Sequence, residues 1–294
     1  VIETSNEDKI LFPDPGFTKG DLIDYYASIA PRALPGLRNR PLVLQRFPDG
    51  IAAEGFYQKQ VAEHFPDWIS TVRVDKADGE RQELVVCGNQ ATLVYLANLG
   101  CVTLHPWLSR VDRLDHPDQL IIDLDPEGDD FSAVRAAARA CRRILDELEL
   151  PAFVKTTGSR GLHIVVPLDR QADFDEVRGF ARDVVELLAA RHPEALTTEQ
   201  RKRQRKGRVF LDVGRNAYAQ TAVAAYAVRP LPGAPVATPI DWDELSRVEA
   251  RTFTIESVLR RVAQRDDPWH GMGRRARGLG PARRRLERLN HPRK

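Results

Sequence analysis

Apolar positions follow two rhythms along this chain. Where they recur every three to four residues they predict helices. Leu22, Tyr25, Tyr26 and Ile29 do so in DLIDYYASIA, entered through Thr18 and Asp21 as a capping pair and ended by Pro31 and Pro35. A compact apolar run over 90–100 is stopped by Gly100. Val134, Ala138, Cys141, Leu145 and Leu148 share one face of 131–150, and further helices are predicted over 173–192 and 256–264. Short apolar runs predict strands at 41–47, 101–107, 120–126, 151–157, 162–168, 208–214 and 221–230. PDG at 48–50 reads as a turn and GSRG at 158–161 as a loop between two strands. Helices and strands mix with no regular βαβ period and no internal repeat. The predicted fold class is therefore α+β, with one or two mixed sheets and helices packed outside.

One strand breaks its own pattern. LIIDLDP (120–126) is apolar enough to be buried, yet Asp123 and Asp125 interrupt it two residues apart. Burying bare like charges is costly. In a strand these two carboxylates project to one face while Ile122 and Leu124 point to the other. Such a pair can share a divalent ion, which removes the repulsion and can bind substrate phosphates. Asp212, a lone acid in the apolar run RVFLDVG, is the candidate third carboxylate. Three such acids with two ions can stabilise both the attacking and leaving oxygens at phosphorus. A turn cap before Pro126 would use the same two aspartates without any metal.

Composition narrows the setting. The 294 residues are 42% hydrophobic and 29% charged, ordinary for a globular protein with one large domain or two smaller ones. No apolar run approaches the roughly 18 to 20 residues that span a bilayer, and the polar start VIETSNEDKI is no signal peptide. A cytoplasmic location, associated with the nucleoid, is expected. The three cysteines, Cys87, Cys101 and Cys141, have no CxxC spacing and read as reduced thiols. The net charge is +2, but the stretch from Gly271 to Lys294 holds nine Arg or Lys against one Glu. Global charge therefore does not argue for nucleic acid; only local basic clusters can. The segment 266–294 is expected to be a mobile Arg-rich tail.

Four further stretches carry candidate chemistry. KTTGSRGLHIVV (155–166) frames a hydroxyl and a cation between two glycines, gathering Thr157, Ser159, Arg160 and His163 as phosphate donors; a plain hairpin loop would look the same. RKRQRKGR (201–208) places six basic residues ahead of Asp212, either as a solvated run or as a contact for a nucleic-acid backbone. In GFYQKQ (55–60), Phe56 and Tyr57 stand near Arg46 and Lys59. In a strand one ring would face the core and the other would not, leaving stacking on a base or simple packing open. His105 sits alone in an apolar strand, where a histidine is more often a hydrogen-bonded part of the structure than a ligand.

Taken in order, DLDP, TGSRGLH, FLDVG and AYAVR resemble the polymerase domain of bacterial ligase D and its stand-alone relatives, members of the archaeo-eukaryotic primase superfamily that act in non-homologous end joining. The likeness runs from KILFPDPGFTK to AYAVRP and more weakly to residue 265. It implies a primase-like core, mixed sheets forming a central cleft flanked by helices. It implies template-directed nucleotidyl transfer with two Mn²⁺ or Mg²⁺ ions, favouring ribonucleotides, on gapped or broken DNA. Asp123, Asp125 and Asp212 match the metal-binding acids. Thr157, Arg160 and His163 match the triphosphate loop, Arg229 a further phosphate-binding residue, and His105 a histidine of the nucleotide pocket. Lys9 and Lys19 match lysines that hold a 5′-phosphate, Phe56 and Tyr57 a pair that stacks on the template, and Arg205, taken with Arg46, the end-bridging contacts. The chain departs from the family where Thr157 replaces Ser, Arg160 replaces Lys, Tyr57 replaces Phe, and Gln220 stands where a triphosphate-binding Lys is common.

The resemblance implies a catalytic domain over 1–265, with 5′-phosphate and template contacts in about 1–100 and the catalytic core in about 101–230. Implied partners are DNA with a 5′-phosphate, NTP or dNTP, a DNA ligase and a Ku-like end-binding protein, and no membrane. No ligase or nuclease motif is present in the sequence. A primase acting without a primer shares the same acids, although the Lys9/Lys19 pair favours gap filling. A largely non-catalytic end-binding and bridging module would need only the basic run, the aromatic pair and the tail. A metal-dependent nuclease has no use for a triphosphate loop.

Overall fold

Thr18 and Asp21 start a helix as their spacing predicts. The Thr18 hydroxyl accepts from the Asp21 amide and the Asp21 carboxylate accepts from the Thr18 amide, a reciprocal capping box. A computed structural model describes residues 2–75, 79–128 and 130–290. In chain order its elements begin with β1 (Ile10–Phe12), β2 (Phe17–Thr18), α1 (Lys19–Leu37), β3 (Pro41–Arg46), β4 (Phe56–Gln58), β5 (Thr71–Asp75), β6 (Arg81–Val86), α2 (Gln90–Asn98), β7 (Cys101–Pro106) and β8 (Ser109–Arg110). They continue with β9 (Arg113–Pro117), β10 (Gln119–Asp125), α3 (Phe131–Glu147), β11 (Phe153–Thr156), β12 (Leu162–Pro167), α4 (Phe174–Arg191), β13 (Leu196–Thr197), α5 (Lys202–Arg205) and β14 (Val209–Asp212). The last are β15 (Pro239–Ile240), α6 (Ile255–Gln264) and α7 (Leu279–Asn290). The fold is mixed α and β, with several sheets, as the apolar rhythms predict. No helix among the described residues is long and apolar enough to cross a membrane.

The chain forms two compact units. The first joins Val1–Asp112, Thr221–Thr238 and Arg251–Asp267; the second joins Arg113–Gln220, Pro239–Ala250 and Pro268–Lys294. In the first, a five-stranded sheet of order β4-β3-β6-β5, with β7 also paired to β3, packs beside α1 and α2. The prolines expected to end α1 lie inside it. Pro31 cannot donate to the Ala27 carbonyl one turn back, and the Gln90 side chain donates there instead at 2.9 Å. The predicted strand at 221–230 is absent: only isolated bridges form, Trp107 to Thr221 and Val228 to Val236. Tyr226 has φ +65, which breaks extended backbone. The segment is held by side chains instead. The Tyr25 hydroxyl donates to the Tyr226 carbonyl at 2.8 Å, the Val228 amide donates to the Tyr26 hydroxyl at 3.2 Å, and the Thr103 hydroxyl donates to the Val228 carbonyl at 2.6 Å.

The second unit is built on a six-stranded sheet of order β13-β14-β10-β12-β11-β15, antiparallel except for the β13–β14 pair. Helices α3 and α4 pack on it, α3 burying Val134, Ala138, Cys141 and Leu145 as its spacing predicts. Ile122 and Leu124 of β10 are wholly buried. They face the helical layer, and Asp123 and Asp125 face the other way. The Arg-rich end is not a mobile tail over its described length. Residues 279–290 form α7, which buries Leu279, Ala282 and Leu286 and packs against α4. Before it, the Arg277 amide donates to the Pro167 carbonyl and its carbonyl accepts from the Asp169 amide, each at 3.2 Å. Those apolar residues, at spacings of three and four, outweigh the charge repulsion that a composition-based reading emphasises. The last four residues, 291–294, lie outside the described residues.

Candidate active site

Register sets the geometry of the acids. β10 pairs with β14 so that Asp123 stands opposite Asp212, and with β12 so that Asp123 stands opposite His163. β11 then places Lys155 opposite His163. Directly opposed residues in antiparallel strands share a face. A single row therefore runs Asp212, Asp123, His163, Lys155 across four strands, with Asp125 two residues further along the same face. β14 ends at Asp212, and the buried Asn216 side chain takes over its pairing. Its Oδ1 accepts from the Ile121 amide at 2.8 Å, and its Nδ2 donates to the Ile121 carbonyl at 2.7 Å and the Val213 carbonyl at 2.9 Å.

The carboxylates are engaged by cations and amides. Asp125 accepts from Arg205 at 3.0 Å and from Arg160 at 3.3 Å. Asp123 Oδ2 lies 3.4 Å from His163 Nε2 and 3.9 Å from Arg215 Nε. Asp212 Oδ1 accepts from the Gly214 amide at 2.7 Å. Burial pushes the Asp123 carboxyl up, but His163, Arg215 and Lys155 outweigh it and hold it below the usual range. Burial first, and the Lys155 ammonium next, push His163 down to about 4 against the pull of Asp123. The ring is thus neutral at pH 7, its Nε2 faces Asp123, and its buried Nδ1 has no hydrogen-bond partner among the described residues.

The loop at 157–161 is organised by one hydroxyl. Thr157 Oγ1 donates to the Gly161 carbonyl at 3.1 Å and accepts from the amides of Ser159 at 3.3 Å and Gly161 at 3.2 Å. Gly161 lies so close to β10 that a β-carbon there would sit 2.0 Å from the Leu124 carbonyl oxygen. The loop is thus seated on the strand that carries the acids, and Arg160 reaches Asp125 from it. Arg205, which the resemblance matches to an end-bridging contact, is held inside the unit. It is buried, lies over the Phe210 ring at 4.1 Å, and donates to the Glu199 and Gln200 carbonyls as well as to Asp125. Phe210 stands opposite Asp125 in the register, which draws the guanidinium inward.

The first unit holds the other predicted residues. The Lys19 amide donates to the Lys9 carbonyl at 2.8 Å. Lys9 Nζ pairs with Asp49 at 2.5 Å, and the buried Lys19 Nζ donates to the Asn98 carbonyl at 3.2 Å. Burial, then Lys9, lower the Lys19 pKa against Glu7. Phe56 and Tyr57 lie on the edge strand β4, 47% and 58% exposed, so neither ring faces the core. This corrects the expected division of the pair. The guanidinium of Arg46 stands 5.3 Å from the Phe56 ring centre and donates to Gln58 and to the Leu99 carbonyl, and Tyr57 meets the half-buried His105 ring edge-on at 5.7 Å. Arg229 is half-buried, and its amide donates to the Pro235 carbonyl.

Two neighbours of the acids escape a reading from sequence. Lys155 matters only through the register that sets it beside His163, and Arg215 only through the 3₁₀ turn Gly214–Asn216 that follows Asp212. Among the described residues, no three His, Cys, Asp or Glu side chains are gathered into a ready-made cation cage. The donor set still fits a hard divalent ion: three carboxylates on two adjacent strands, with Asp123 and Asp212 opposed. Asp123 and Asp125 are met by side chains, and Asp212 by the Gly214 backbone amide.

Comparison with known proteins agrees with this architecture. Residues 18–269 match the family described as LigD, primase-polymerase domain. The chain is 34% identical over 293 residues to the multifunctional non-homologous end joining protein LigD of Pseudomonas aeruginosa, covering 98% of this chain and 35% of that protein. It is 30% identical over 272 residues to the bifunctional LigD of Bacillus subtilis, covering 91% and 43%. The chain thus spans well under half the length of these relatives. Among solved structures, the polymerase domain from Mycobacterium tuberculosis ligase D in complex with DNA matches with a TM-score of 0.88 at 30% identity, over 94% of this chain and 99% of that one.

Proposed function

Because the chain belongs to the LigD primase-polymerase domain family, we propose that it is a template-directed nucleotidyltransferase that fills gaps and extends ends in DNA repair by non-homologous end joining, favouring ribonucleotides. The observation that carries this reading is the row of Asp212, Asp123 and His163 across three paired strands, with Asp125 on the same face. Asp123, Asp125 and Asp212 would hold Mn²⁺ or Mg²⁺, which when bound would neutralise charge developing at phosphorus. Neutral His163 orients Asp123 through its Nε2. Thr157 fixes the loop, Ser159 and Arg160 would meet a triphosphate from it, and Arg215 adds a second guanidinium beside Asp123.

To the first unit the resemblance assigns the remaining contacts: Lys9 and Lys19 for a 5′-phosphate, Phe56 and Tyr57 for template stacking beside Arg46, and His105 and Arg229 for the nucleotide. The exposure of both rings of the aromatic pair supports the stacking role, since a packed pair would be covered. A ligase and a Ku-like protein are the partners this reading implies.

The test is extension of a gapped duplex bearing a 5′-phosphate, with each ion and each sugar type. Asp123→Ala should abolish extension while leaving DNA binding intact. Normal extension by that variant would overturn the assignment. Synthesis on an unprimed single strand would move the reading to a primase.

A further inference from the structure

The Arg-rich end of the second unit has no part in the site described above. Seven arginines and one glutamate lie between Arg274 and Arg288, a stretch that falls beyond the matched family region. The structure divides them into two groups. Four are engaged: Arg275 lies over the Phe153 ring, Arg277 donates to the Ala276 carbonyl, Arg283 donates to the Glu176 carbonyl, and Arg285 pairs with Glu149. The other three, Arg274, Arg284 and Arg288, are exposed, and among the described residues their side chains make no hydrogen bond or ion pair. Arg284 and Arg288 lie one turn apart on α7, where like charges destabilise a helix. The exposed Glu287 beside them forms no ion pair with either among the described residues.

We propose that this outer face of α7, with Arg274, is an accessory contact for the phosphate backbone of duplex DNA, separate from the carboxylate face. The chemistry selects the partner. The apolar side of α7, Leu279, Ala282 and Leu286, is buried in the unit, so the helix has no apolar face to insert into a lipid surface. Among the described residues, the exposed positions of α7 (Gly280, Pro281, Arg284, Glu287, Arg288 and Asn290) offer no aromatic or large aliphatic anchor of the kind that centres a protein interface. Unpaired guanidiniums on a rigid support, without groups that read bases, suit a repeating phosphate. Position agrees: α7 packs on α4, which belongs to the helical layer, and the acids of β10 face away from that layer. A duplex held here would therefore keep the protein on DNA without occupying the nucleotide row.

The inference rests on the DNA-polymerising reading, and the test separates the two. Binding of a labelled blunt duplex is titrated over a series of salt concentrations for the full chain and for the triple variant Arg274→Ala, Arg284→Ala, Arg288→Ala. Melting curves confirm that the variant is folded. Loss of three phosphate contacts should reduce the slope of log Kd against log salt by about 2 to 3. It should also weaken low-salt binding at least tenfold, while extension at saturating gapped substrate is unchanged. Replacing the three by Lys should restore most of the slope. An unchanged slope in the folded triple variant, or a loss confined to binding of anionic vesicles, would overturn the proposal. If the unmodified chain binds duplex but extends no primer, the polymerase reading falls while the slope still decides this one.

Discussion

A methyl group on residue 161 would strike the Leu124 carbonyl, so Gly161→Ala must move either the loop or the strand. The expected cost is about 1–3 kcal/mol, read as a lower denaturation midpoint, with weaker nucleotide binding because Thr157 and Arg160 move with the loop. His163 gives a pH prediction with a definite sign. Its folded pKa of about 4 lies below the ordinary value. Between about pH 6.5 and that value the unfolded chain takes up a proton that the native one refuses. Stability should therefore fall as pH drops across this window, by up to about 3 kcal/mol. Asp123, held below the usual range, adds its own loss only at lower pH, below about 3.8. Urea midpoints at pH 7 and 4.5 should converge in His163→Gln relative to the unmodified protein. At this scale the acids and the loop hydroxyl are legible in sequence, since alternation alone sets Asp123 with Asp125. Lys155 and Arg215 are not, because their meaning depends on which strand lies opposite and how the chain turns after Asp212.

At the scale of elements, Asn216 substitutes for a strand. It bonds both backbone groups of Ile121 where β14 has already ended. Asn216→Ala leaves a buried donor and acceptor of β10 without partners and should cost about 3 kcal/mol. Chemical denaturation measures the cost, and hydrogen exchange at Ile121 should speed up locally. Most helices and strands follow from apolar rhythm because their own residues cover a face of the core. The exceptions share a cause: distant side chains satisfy the backbone. Gln90 supplies the bond that Pro31 denies to Ala27, so α1 continues. Tyr25, Tyr26 and Thr103 hold 221–230, so an apolar run that reads as a strand needs no sheet. No local pattern reports such partners.

At the scale of the whole molecule, α7 decides how much of the chain is folded structure. Leu286 is 4% exposed, and Leu286→Ala should cost about 2–3 kcal/mol; a mobile tail would show no change in a melting experiment. Arginine abundance hid this helix, although its buried Leu279, Ala282 and Leu286 stand at helical spacing. The row of acids has a consequence of its own. Asp123, Asp125 and Asp212 stand among the ammonium of Lys155 and the guanidiniums of Arg160, Arg205 and Arg215. Three negative groups are thus already offset by four positive ones, and a polyphosphate drawing near meets no electrostatic wall.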